Sequence, residues 1–142
     1  MLTRQQVFEF IAKQKTAFIA SVDEDGFPTI KAMFAPRKTE GNCFYFTTNT
    51  SSMRTQQYIK NPKASIYFYN RGRFKYEGLM LVGSMKVLQD EDIKKEIWQT
   101  GDTIYYSKGV TDPDYCVLKF TAVKGRHYCA LKKESFLMED LK

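Results

Sequence analysis

Histidine is almost missing from this sequence: His127 is the one copy in 142 residues. A metal centre built on several imidazoles is excluded, and any histidine-dependent catalysis would have to use that residue. Cysteine is scarce as well. Cys43, Cys116 and Cys129 are odd in number and far apart. They fit neither a disulfide framework nor a zinc-ligand spacing, and point to a reducing, cytoplasmic setting. Long apolar runs are lacking. None exceeds four residues, so no membrane-spanning helix is expected. Arg4 and Glu9 stand where an export signal would need its apolar stretch. Repeats, low-complexity stretches and Pro/Gly/Ser-rich linkers are also missing, which predicts one domain over residues 1–142.

Aromatic residues are abundant. Eleven Phe, nine Tyr and one Trp make up 15% of the chain, as in a β-rich protein, one built around a flat ligand, or both. The formal net charge of +6 favours an anionic partner. The basic residues are scattered, with no run longer than two, which argues against a membrane-binding patch or a basic nucleic-acid tail.

The pattern predicts a short N-terminal helix with a Thr3–Gln6 capping box and a Leu2–Val7 staple, laid as a lid on a sheet. Strands are predicted at 16–22, 29–35, 43–48, 64–69, 74–88, 115–122 and 127–131. Turns are expected at Asp23–Gly26, Gly41-Asn42 and Lys124-Gly125-Arg126. Gly78 and Gly83 suggest a bulge or sharp bend in the long strand. A helix over 53–60 stops at Asn61-Pro62. Another starts at an Asp90 cap and ends at Gly101. Beyond residue 131 a polar tail is expected. The sum is a mainly β (α+β) fold: a six- to seven-stranded antiparallel barrel or sandwich with short helices.

The most informative stretch is Phe46-Thr47-Thr48-Asn49-Thr50-Ser51-Ser52-Met53-Arg54. A strand ends in hydroxyl and amide side chains and feeds a helix N-terminus, where free N–H groups attract anions. Arg54 in the first helical turn opposes the helix dipole, a cost that a bound anion would reverse. The competing reading is a surface helix capped by Ser51 or Ser52 with an incidental arginine. Lys31 and Arg37, on or just after the second strand, could complete a cationic pocket or simply face water. Arg71-Gly72-Arg73 and Lys75 beside Tyr67, Phe68 and Tyr69 could form a stacking stripe for single-stranded nucleic acid. A solvated turn over core aromatics is the favoured account. Trp98 is expected in core or subunit packing, and His127 on an edge strand.

Taken in order, Asp25-Gly26-Phe27-Pro28, Lys31-Ala32-Met33, Phe44–Thr48, Ser52-Met53-Arg54 and Asn61–Ala64 resemble the pyridoxamine 5′-phosphate oxidase-like family of FMN-binding split barrels. Tyr76-Glu77-Gly78, Trp98 and Gly109–Asp114 are similar to its small general-stress-protein branch. The resemblance implies a split β-barrel homodimer with an FMN at each end of the dimer interface. It assigns the FMN phosphate to Ser52 and Arg54, with Ser51 and Met53 in the same turn. Phe46, Thr47 and Thr48 would lie along the ribityl chain and ring. Lys31, Ala32 and Met33 would meet the polar edge of the ring. Met33, Phe46 and Trp98 are candidate apolar walls, with Tyr105 and Tyr106 added from the other subunit.

There are departures from the family pattern. Lys31 replaces a usual arginine, and Pro36 replaces a phosphate-binding lysine for which Arg37 could substitute. The hydroxyl-rich turn is one residue longer, and the substrate-binding C-terminal segment of the true oxidase is not recognisable. The implied activity is therefore flavin-dependent redox chemistry with a small-molecule redox partner, not pyridoxamine phosphate oxidation, and no catalytic side chain is evident. A non-catalytic flavin- or haem-binding module on the same fold, a deazaflavin in place of FMN, and a nucleic-acid-binding barrel are the alternatives.

Overall fold

In the computed structural model, which describes residues 2–73 and 75–142, the period-two alternation becomes eight antiparallel strands in one sheet. The elements are α1 (Arg4–Ala12), β1 (Thr16–Val22), β2 (Pro28–Phe34), β3 (Lys38–Glu40), β4 (Cys43–Asn49), α2 (Met53–Lys60), β5 (Lys63–Arg71), β6 (Tyr76–Leu88), α3 (Glu91–Ile97), β7 (Tyr115–Cys129) and β8 (Lys132–Leu137). The sheet runs β2-β1-β5-β6-β7-β4-β3, with β8 also on β7. Residue 74, the expected start of β6, lies outside the described residues.

One face of each long strand fills the barrel. Ala17 and Ile19 of β1, Ile66 and Phe68 of β5, Leu79 and Leu81 of β6, and Leu118 and Phe120 of β7 are all fully buried. Helix α1 closes one end with Val7 and Ile11, and Leu2 packs against the same core. Its predicted capping box is present: Thr3 Oγ1 accepts the Gln6 N–H at 3.1 Å, and Gln6 Oε1 accepts the Thr3 N–H at 2.9 Å. A second, smaller cluster joins Tyr45, Ile97, Tyr106, Tyr115 and Val117, with Trp98 against it.

Several expectations are corrected. There is no turn at Lys124–Arg126, because β7 runs unbroken through it. Gly125 serves close packing instead: a Cβ there would stand 2.5 Å from the Phe136 ring and 2.8 Å from Leu81. The chain reverses at Ala130-Leu131, both at positive φ (49° and 70°), and returns as β8 where a polar tail was expected. The short β3 was also missed. Helix α3 stops at Ile97 rather than Gly101, its Ile97 carbonyl accepting from Arg37 Nη1 at 3.4 Å. Asp90 takes the N-cap position with no side-chain hydrogen bond. His127 is not on an edge, since β6 and β8 flank it. The register of β6 on β7 shifts at Val82/Gly83, the bulge expected from one of the two glycines; at Gly78 the pairing is regular.

This topology leaves a split. Among the described residues the outer edge of β2 has no strand partner, and β3 pairs only with Cys43–Tyr45 of β4, so the second half of β4 is open on that side. No helix among the described residues is long and apolar enough to cross a membrane.

Candidate functional site

The split holds a cleft of about 410 Å³. Lys31, Ala32, Met33 and Phe34 of β2 form one wall. Thr47, Thr48 and Asn49 of β4, with Arg54 of α2, form the facing wall. Tyr105 and Tyr106, from the loop after α3, border it with Arg37 and Thr16. Nine of the site residues proposed from the sequence therefore meet in one cavity: Lys31, Ala32, Met33, Arg37, Thr47, Thr48, Arg54, Tyr105 and Tyr106.

The hydroxyl-rich turn is held by a residue that sequence reasoning did not single out. The Asp114 carboxylate accepts the Asn49 side-chain amide and the Ser51 N–H, each at 2.8 Å. These bonds, those from Ser51 foremost, hold the carboxyl below the usual range. Ser52 caps α2, its Oγ accepting the Thr55 N–H at 3.2 Å, while Thr55 Oγ1 donates to the Asn49 carbonyl at 2.8 Å. From the first turn of the eight-residue helix α2, whose early N–H groups have no intrahelical carbonyl partner, Arg54 lines the cleft.

Arg54 is the anomaly. Its Nε is buried with no hydrogen-bond partner among the described residues, and its Nη2 reaches Thr48 Oγ1 only at 3.5 Å. Burial lowers the guanidinium from the usual arginine pKa, and no carboxylate among the described residues pairs with it. A buried N–H without an acceptor costs about 1–3 kcal/mol. An anion in the cleft would remove that cost.

Arg37 behaves differently from the sequence expectation. Both arms of its guanidinium are taken by Asp102: Nη1 bonds Oδ2, and Nη2 bonds Oδ1 at 2.8 Å. That pairing raises the pKa of Arg37 and lowers that of Asp102. Arg37 is therefore a neutralised wall rather than a free cation.

The other predicted residues lie around the cleft and not in its lining. Phe46 is buried in the barrel core behind Thr47. Ser51 and Ser52 are engaged with Asp114 and the helix cap. Met53 is exposed and faces a neighbouring hollow beside the Asp23–Gly26 turn. Trp98 packs on Tyr115 and Tyr106, with centroids 5.2 and 6.1 Å apart, as core packing predicts. Tyr105 and Tyr106, expected from a partner subunit, belong to the same chain's cleft. Burial pushes the Tyr106 phenol up from its ordinary value, with the neighbouring Thr47 side chain opposing the shift.

Other chemistry lies elsewhere. His127 Nε2 sits 2.5 Å from Glu77 Oε2, with Phe10 edge-on at 6.5 Å, outside the cleft lining. Phe68 is fully buried between exposed Tyr67 and Tyr69, so the three aromatics do not share one face as the alternative of a stacking stripe would need. No group of His, Cys, Asp or Glu among the described residues could hold a metal ion.

Fold and site together define a split β-barrel with a cationic cleft at the split. The chain belongs to the pyridoxamine 5′-phosphate oxidase family, whose profile matches residues 3–129. It is similar to a Clostridium acetobutylicum protein of the pyridoxinephosphate oxidase family, related to general stress protein 26 of Bacillus subtilis. That pair is 36% identical, covering 97% of this chain and 96% of the other, with a TM-score of 0.84. The fold is shared with a pyridoxamine 5′-phosphate oxidase-related, FMN-binding protein from Nostoc punctiforme (17% identity, 87% and 82% covered, TM-score 0.72). It is also shared with a haem-binding protein from Mycobacterium smegmatis (12% identity, 92% and 55% covered, TM-score 0.73). No curated protein matches the chain in sequence.

Proposed function

We propose that this protein binds FMN in the cleft and works as a flavin-dependent oxidoreductase on a small-molecule redox partner, as a homodimer. The observation that carries the reading is the buried, unpartnered Nε of Arg54 beside the first turn of α2. A phosphate monoester supplies what this corner lacks: negative charge and acceptor oxygens. The residues fit the rest of the group as well. Thr47 and Thr48 offer hydroxyls along the open end of β4, and β2 offers backbone groups on an edge with no strand partner. The volume suits a cofactor-sized ligand.

A bound flavin would supply hydride and electron transfer. The chain's own residues do the rest. Arg54 and the α2 N-terminus fix the phosphate. Thr47 and Thr48 position the polyol. Met33 and the tyrosines exclude water from the ring. Lys31 places positive charge near the β2 side. The reading stops short of pyridoxamine phosphate oxidation.

The homodimer rests on an apolar sheet face next to the cleft. Ile30 and Phe34 of β2 are 70% and 68% exposed, and Phe18 of β1 lies between them on the same face. A second copy over this face would shield apolar surface that monomers seldom leave open, and would cover the open side of the cleft. Haem is the rival ligand, but the one histidine is paired with Glu77 outside the cleft.

The test is the visible spectrum of the purified protein during titration with FMN, followed by anaerobic addition of NADH or NADPH. Stoichiometric uptake and bleaching of the flavin band are the expected results. Uptake without reduction by any nicotinamide or dithiol donor would favour a non-catalytic flavin carrier. A Soret band with haem and no response to FMN would overturn the cofactor assignment.

A further inference from the structure

We infer that Asp102 is the positioning residue of the cleft: through Arg37 it latches the Trp98–Tyr106 loop so that Tyr105 and Tyr106 stand as the wall against a flat ring. The inference rests on the flavin reading and deepens it. Asp102 is a node in this loop. Its backbone carbonyl accepts the N–H groups of both Tyr105 and Tyr106 at 2.9 Å. Its carboxylate accepts the Gln99 N–H at 2.9 Å and both arms of Arg37. Arg37 is itself tied to the barrel, its N–H donating to the Tyr45 carbonyl at 2.8 Å. One side chain thus fastens a short 3₁₀ turn, otherwise held by its own local bonds and the Trp98–Tyr106–Tyr115 contacts, to the rigid sheet.

The side chains of this pair are 13% and 5% exposed, so water competes weakly for them. Beyond the latch the turn is open: Ile104 is 83% exposed and Tyr105 56%, and the ring of Tyr105 lies against those of Phe34 and Tyr106. The same pairing settles the charge of the cleft. Asp102 silences Arg37, leaving Arg54 as the guanidinium for one phosphate. Ring contact and phosphate contact are then separate functions of separate residues.

The experiment compares FMN with riboflavin, which lacks the phosphate, on wild type, Asp102→Asn and Arg37→Met. Tyrosine in contact with a flavin ring quenches its fluorescence, so the emission of fully bound ligand reports the wall. Asp102→Asn should weaken riboflavin, which carries no charge, by about tenfold and brighten the bound flavin. Mere loss of stability would not brighten ligand at saturation. Arg37→Met should do the same, and it decides the matter alone if Asp102→Asn fails to fold. The double variant Asp102→Asn/Arg37→Met keeps the pair neutral and should retain the preference for FMN; loss of that preference would make Arg37 a phosphate ligand and overturn the inference. Bound emission that stays quenched in both single variants would overturn it as well.

If the wild type binds neither flavin, the functional reading fails but the latch is still tested. Trp98 is the one tryptophan and opens this loop. Its quenching by acrylamide should rise about twofold in ligand-free Asp102→Asn and Arg37→Met if the loop is released. Unchanged quenching would show that the loop needs no latch.

Discussion

Arg54 has opposite effects with and without a ligand. Without one, its buried Nε is an uncompensated polar group; with a phosphate, it is a charge-assisted donor. Arg54→Met, which keeps length and removes the polar head, should therefore raise the stability of the ligand-free protein by about 1 kcal/mol, read by urea unfolding. The same variant should lose most FMN affinity. A fall in ligand-free stability would mean that the guanidinium is already satisfied.

Asp102 is the converse case. Its folded pKa lies below its ordinary value of 3.8, chiefly through Arg37. The carboxylate therefore adds stability above the unfolded pKa and loses it as pH falls through the folded one. Asp102→Asn should cost about 2 kcal/mol at neutral pH, from lost bonds to a charged group. That gap should shrink only below the ordinary carboxylate range, as measured by urea unfolding at several pH values. Arg54 was legible in the sequence because a cation in a first helical turn is out of place. Asp102 and Asp114 were not, because Arg37 and Asn49 are each 65 residues away and only the fold brings the partners together.

The sheet was legible as elements wherever alternation decided it. β1, β4, β5 and α2 stand within about two residues of where apolar period and Pro62 put them, boundaries of the usual looseness. The β7–β8 hairpin was not legible. A glycine looks like a turn signal, but Gly125 is there because Phe136 and Leu81 leave no room for a Cβ. The true turn, Ala130-Leu131, carries neither glycine nor asparagine, although both residues sit at positive φ. Replacing that pair by Asn-Gly should raise stability by about 1–2 kcal/mol, since the usual residues of such a turn relieve strain at both positions. A shift in the urea midpoint checks it. At the bulge the opposite holds: a Cβ on Gly83 would lie 1.9 Å from the Thr121 carbonyl oxygen. Gly83→Ala should cost about 2–3 kcal/mol by forcing β6 from β7. An unchanged midpoint would mean that the two strands can separate locally at little cost.

At the scale of the whole molecule, the split in the barrel explains why the cleft and the apolar sheet face adjoin. The strand with an unpaired edge, β2, supplies both the cleft wall and the exposed Ile30 and Phe34. Assembly and cofactor binding should therefore be coupled. Ile30→Asp should yield a monomer in sedimentation velocity and a weaker FMN complex, although residue 30 does not line the cleft. A monomeric wild type with full FMN affinity would separate the two. The family and the basic fold were legible from the order of short motifs along the chain. The completeness of the site was not, because it depends on which surfaces the folded sheet leaves open.

The most direct test of the central claim, that the cleft holds a flavin phosphate on Arg54, is the ratio of riboflavin to FMN dissociation constants in wild type and Arg54→Ala. The wild type should prefer FMN strongly. The variant should lose roughly 1.5–3 kcal/mol of FMN binding, the range for bonds to charged groups, while riboflavin affinity stays as it was. A folded variant that keeps the full FMN preference would contradict the account.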